Sequence, residues 1–223
     1  MTARPVPRWR RFARRLRVEQ AAVSLIEFAL ALPLLIGFLL GGLEMANYIL
    51  ASNTCQRLST MLADLVAQSG VGGEATTEAQ IYDMFNAIDV SAKPYDLRAR
   101  GRVVMSVIKG VAQADGTVRN EFADTTFSQQ FDGGYASAVP VLGCRRTGAL
   151  PTFPRVLSKD EVLAHVQVSY QYKPLFVPTS MSYFMGPDLI TRTAVFRMRK
   201  NSFSISGDAQ HPAKSNCTTA TGL

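Results

Sequence analysis

Two His, one Trp and three Cys among 223 residues leave little material for metal chemistry or an aromatic cage. So few cysteines exclude a disulfide-dense mini-scaffold. Charged residues make up only 18% and apolar residues 47%, which excludes a disordered or collagen-like chain. No Gly-x-Ser-x-Gly, phosphate loop or Gly-x-Gly-x-x-Gly occurs. His165 falls on the polar face of a strand pattern and His211 in a polar tail, so no metal centre is expected. Neither a cofactor nor an enzymatic activity is expected. The length suits one compact domain with an appendage.

Charge is present but unevenly placed. The net charge is +7, yet Arg4, Arg8, Arg10, Arg11, Arg14, Arg15 and Arg17 all lie in the first 20 residues, against a single acid, Glu19. The rest of the chain is nearly neutral. A nucleic-acid arm is disfavoured, because this arm abuts a long apolar run. Residues 28–43 carry no charge, and extending back to Ala21 adds only Ser24 and Glu27 as polar interruptions. A helix over 21–43 covers roughly 35 Å, against about 30 Å of hydrocarbon core. One membrane span is expected. The Arg flank puts the N-terminus in the cytoplasm and the residues after about 45 in the periplasm or outside the cell. A cleaved secretory signal competes with this reading, but Glu44-Met45-Ala46-Asn47 offers no small-x-small cleavage site.

Glu27 stands where a carboxylate is expensive, about 2–3 kcal/mol on insertion scales. A bland reading lets it snorkel to the interface. The neighbouring residues support a sharper one. Ala22-Val23-Ser24-Leu25-Ile26-Glu27-Phe28-Ala29-Leu30-Ala31-Leu32-Pro33, after a basic leader, resembles the N-terminus of class III (type IV-like) prepilins. It looks most like the TadE/TadG-like proteins of the Tad (tight adherence) pilus system, through Glu27-Phe28-Ala29-Leu30 and Pro33. The resemblance covers roughly residues 15–50. It implies a peptidase cut between Ala22 and Val23, although Ala22 stands where that peptidase favours Gly. It also implies a branch of the family that keeps its leader as an anchor. After a cut, the new amino group of Val23 would pair with Glu27 of a neighbouring subunit and fix axial register. The implied partners are the membrane, other pilin-like subunits, the prepilin peptidase and the inner-membrane assembly platform, with no nucleic acid.

Helical spacing continues beyond the span through Tyr48, Cys55, Leu58, Leu62 and Leu65, with Ser52 filling one turn. One helix is expected from about 21 to 69, kinked or locally broken at Pro33. Gly37 and Gly41 have the small-x-x-x-small spacing that lets helices approach closely. Residues 70–77 read as a linker, and Thr77 as the N-cap of a short helix with Ile81, Met84, Phe85 and Ile88 inward. Strands are expected at 102–112, 117–122, 162–172 and 189–199, the third half-buried with His165, Gln167, Ser169 and Gln171 outward. Asp115-Gly116 marks a turn. Residues 124–160 read as irregular, and the tail from about 207 as loose. The organisation expected is a leader at 1–22, a membrane and amphipathic helix at 23–69, and an extracytoplasmic domain at 70–223. The fold class is α+β, with the long helix packed on a small antiparallel sheet.

Three cysteines allow three pairs. Cys55 lies on the apolar stripe and reads as a small buried hydrophobe. An oxidising compartment favours Cys144–Cys217, closing a loop worth roughly 4 kcal/mol in the chain-entropy model. The function expected is a minor pilin-like or assembly component of a Tad-type pilus. The alternative is a membrane-anchored periplasmic binding or sensor domain unrelated to pili.

Overall fold

A computed structural model describes residues 20–70, 74–124, 128–144, 148–150, 153–176 and 187–223. The arginine leader, apart from residues 20–22, lies outside them. Helix α1, Gln20–Gln68, is 49 residues long and passes through Pro33 without interruption. The local break expected at Pro33 is therefore absent. Pro removes one i→i−4 bond, and the strong helix formers on either side carry the ladder past it.

The two halves of α1 differ in what they touch. The first half is exposed all round. From Glu44 onward one stripe turns inward: Ala51, Cys55, Leu58, Leu62, Ala63, Val66 and Ala67 are buried in the main core. Tyr48 packs against the rim of that core, and Leu65 is half-buried.

A two-residue strand β1, Thr76–Thr77, leads into α2, Glu78–Ser91. Thr77 caps α2 in a capping box: its hydroxyl accepts from Gln80 N, and the Gln80 side chain accepts from Thr77 N, both at 3.2 Å. Ile81, Phe85 and Ile88 of α2 are buried as expected, while Met84 is half-buried. A single turn, α3 (Leu97–Arg100), is capped by Asp96. Strands β2 (Gly101–Ala112), β3 (Val118–Phe122), β4 (Gln129–Gly133), β5 (Val162–Gln171) and β6 (Leu189–Arg197) form one antiparallel sheet. Its order is β3-β2-β5-β6, with β4 paired to the other end of the β2 edge that β3 uses. Strand β7, Ile205–Ser206, runs parallel to β1. The β2–β3 turn centres on Asp115-Gly116, where Gly116 takes φ +81° and Asp115 Oδ1 accepts from Thr117 N.

Helices α1 and α2 cover one face of the sheet, over Val103, Met105, Val107, Ala164, Val166, Val168 and Tyr170. The other face corrects two expectations. Strand β5 is buried on both faces, not half-buried: His165, Gln167 and Ser169 are all covered. The cover comes from the region beyond β4 that reads as irregular in the sequence. Its Leu142, Leu150 and Leu157 form a second, smaller core with Ile108, Phe122 and Leu163. Gln167 is satisfied inside, donating to Val139 O at 3.0 Å and accepting from Val141 N at 2.7 Å. Strand β4 itself falls within 124–160, where no strand is expected. Its sequence, Gln-Gln-Phe-Asp-Gly, has no apolar alternation because its polar side chains are buried with partners.

The tail is not loose. It has no helix or strand, but Lys214 O accepts from Phe131 N at 2.8 Å, and Lys214 Nζ pairs with Asp132 at 2.5 Å in a buried contact. Gly222, at φ +80°, lies so near Phe131 O and Lys214 O that a Cβ would come within 2.5 and 2.6 Å of them. Polarity conceals this packing, because the tail is held by hydrogen bonds rather than by an apolar stripe.

Candidate assembly helix and its junction with the domain

Side chains from Val23 to Leu39 are all exposed, Phe28 at 64% and Phe38 at 74%. Large apolar side chains in water are costly at this density, so this surface calls for lipid or other helices. The stretch Val23–Gln68 is long and apolar enough to cross a membrane by length and composition. Glu27 lies one helical turn beyond Val23 on the same face, and its side chain is exposed with Phe28 beside it. Pro33 lies within the same exposed half. A Cβ placed on Gly37 or Gly41 would meet nothing within 4 Å, so a smooth strip one turn apart stands open there. Ala22 and Val23 sit in the first turn of α1; the Ala22 side chain lies outside the described residues.

The apolar half ends at Glu44, whose side chain is fully buried. Its carboxylate accepts from the Tyr172 hydroxyl, from Leu175 N at 2.8 Å and from Phe176 N at 2.7 Å. Donors on a carboxylate offset its desolvation. The Tyr172 phenol is pushed above its ordinary range, first by burial and then by its bond to Glu44. Its ring stands edge-on to Tyr48 at 5.3 Å. Further along, Arg192 of β6 donates to Ser52 Oγ at 3.1 and 2.6 Å. The domain thus grips α1 on one side, while Met45, Ile49 and Leu50 remain exposed on the other. From the sequence, Glu44 reads only as the first charge after the span. An acid at the end of an apolar run, with tyrosines downstream, is the available signal for this grip.

Cys144 and Cys217 are joined, with Cα atoms 5.9 Å apart, and Cys55 is free and buried. Burial pushes the Cys55 thiol up to about 11, so it stays protonated and unreactive at neutral pH. Beside the disulfide lies a residue that no sequence pattern marks. Arg102, 1% exposed, donates to the main-chain carbonyls of Ala136, Ala138, Cys217 and Thr219 at 2.6–3.2 Å. Its guanidinium also lies over the Phe131 ring at 5.0 Å. Burial lowers its pKa. One cation therefore binds two segments 81 residues apart in sequence, Ala136 and Cys217.

His165 is 5% exposed, its Nδ1 has no partner among the described residues, and burial pulls its pKa down to about 4. His211 instead pairs with Asp208 at 2.5 Å in the tail. Among the described residues no three His, Cys, Asp or Glu side chains stand close enough to hold a metal ion.

A long apolar helix, free along its first half and seated in an α+β domain along its second, defines the class: a domain that carries an apolar helix suited to lipid or to other helices. Residues 16–64 match the family model of the TadE-like proteins, so that region is similar to this family. The match takes in both halves of α1 and stops before the sheet. No curated protein and no solved structure matches the chain.

Proposed function

We propose that the protein is a minor pilin-like or assembly component of a Tad-type, type IV-related pilus, acting by helix packing rather than by catalysis. In this reading α1 crosses the inner membrane once, with the N-terminus cytoplasmic and the domain of residues 70–223 periplasmic or extracellular. Its partners are other pilin-like subunits, the prepilin peptidase and the inner-membrane assembly platform. The observation that carries the reading is Glu27-Phe28-Ala29-Leu30 with Pro33, inside the TadE-like match, on a helix half that no other described part of the chain covers.

Glu27 then has a defined task. Cleavage between Ala22 and Val23 frees an α-amino group one turn from Glu27. In a bundle of such helices, that ammonium reaches the Glu27 carboxylate of a neighbour. Either charge left alone in low dielectric is costly, so the pair sets the axial register. Gly37 and Gly41 let the neighbouring backbone come close.

The test is Glu27→Ala. Removing a charge beside lipid leaves insertion unharmed or improved. Surface piliation should be lost while membrane levels of the protein hold. Normal piliation at normal levels would remove the register role and favour a tethered binding domain. The mass of the mature N-terminus reads the cut at Ala22–Val23 separately.

A further inference from the structure

The junction at Glu44 positions more than the helix. From Val23 to Leu43, α1 rises about 31 Å, close to the thickness of a hydrocarbon core. Glu44, the next residue, therefore marks the level where the far side of that core ends. Its carboxylate receives the backbone amides of Leu175 and Phe176 at 2.8 and 2.7 Å. Those two residues are consequently fixed at the same height. Both side chains are turned to the outside: Leu175 is 68% and Phe176 50% exposed. Lys173 beside them is exposed as well. Tyr48 and Tyr172 meet edge-on at this level, where amphipathic rings favour the water–lipid boundary.

We propose that Lys173–Phe176 is a second membrane contact. Leu175 and Phe176 dip into the interface of the outer leaflet of the bilayer that α1 crosses, and the Lys173 ammonium meets lipid phosphate. The occupant is lipid because the patch is continuous with the membrane-crossing surface of α1: one carboxylate at the end of that surface holds both amides. Apolar side chains flanked by a cation suit that boundary. Two attachment points, the helix and the 173–176 loop, then fix the tilt of the domain over the membrane. This inference rests on the anchor reading of α1.

The test uses the full chain with Trp9→Phe, reconstituted into vesicles of zwitterionic and anionic phospholipid, with one tryptophan reporter introduced at a time. Phe176→Trp is the probe, and Leu175→Trp is a second probe should the first disturb folding. Phe38→Trp reports the span. Val156→Trp is the remote control: its neighbour Leu157 donates to Asn120, which pairs with Gly110 near the far end of β2. Bromines placed just below the headgroups should remove most of the emission from the indole at position 176 or 175 and leave the position 156 control unchanged. Bromines at the bilayer centre should quench the indole at position 38. Loop reporters quenched no more than the control, with the span reporter quenched, overturn the loop contact and leave the anchor standing. A blue-shifted reporter at position 176 that no bromolipid quenches means a protein covers the loop, and also overturns it. An unquenched span reporter overturns the anchor reading and this inference with it.

Discussion

Arg102 is a buried cation held by carbonyl oxygens. Four of them converge on it from two segments, and a buried acceptor left without its donor costs about 1–3 kcal/mol. Arg102→Met should therefore cost at least about 3 kcal/mol, a large share of a typical stability of about 5–15 kcal/mol. Arg102→Lys should rescue little of this, since a compact ammonium cannot span four acceptors as a planar fork does. Denaturant midpoints of the three proteins check both statements. His165 gives a second prediction. Its pKa falls from about 6.5 in the unfolded chain to about 4 in the fold. The unfolded state thus binds a proton between those values that the folded state refuses. Stability is intact above pH 6.5, falls as the pH drops toward 4, and levels below that, by about 3 kcal/mol in all. A backbone hydrogen bond to the ring offsets part of this burial effect. In His165→Leu this part of the acid slope should vanish, seen as a flatter curve of melting temperature against pH between 4 and 6.5.

At the scale of elements, legibility follows apolar spacing. Helix α1 is readable to within about a residue at each end because the apolar run from Ala21 marks its start, the stripe from Cys55 to Leu62 carries it on, and Gly70 marks its stop. Helix α2 is readable because Thr77 and Gln80 spell a capping box ahead of Ile81. Thr77→Ala should cost α2 about 1 kcal/mol, measurable as a lower denaturant midpoint with an unchanged slope. Strand β4 is not readable, because Gln129, Gln130 and Asp132 are buried through hydrogen bonds and look like loop residues in one dimension. Gln130 donates to the buried Glu78 carboxylate at 2.8 and 3.0 Å, joining β4 to the first turn of α2 across 52 residues. Burial raises the pKa of Glu78, and the Gln130 bond partly offsets this. The candidate site divides the same way. Glu27, Phe28 and Pro33 are visible through local sequence. Glu44 becomes significant only when Tyr172, Leu175 and Phe176 fold back onto it.

At the scale of the molecule, the sheet hangs on one side of a single helix that continues from the exposed half. If that helix crosses the membrane as the Arg-rich flank directs, a periplasm-dependent reporter fused after Leu223 should be active. Activity of a cytoplasm-dependent reporter there would reverse the orientation and remove the oxidising setting for Cys144–Cys217. Reduction of that disulfide should lower stability by roughly 4 kcal/mol, given the 73-residue separation, and should loosen the tail first. Hydrogen exchange at Phe131 N, which donates to Lys214 O, reads that loosening directly.

The reach of Arg102 also imposes an order in time. A chain is made from its N-terminus, and Arg102 emerges 115 residues before Cys217, whose carbonyl it needs. Until that stretch arrives, the guanidinium has only the 136–138 carbonyls and must stay hydrated. The sheet face toward the disulfide therefore closes last, after every strand of the main sheet has been synthesised. A released chain that ends just before Cys217 should hold its helix-side core while this face remains wet.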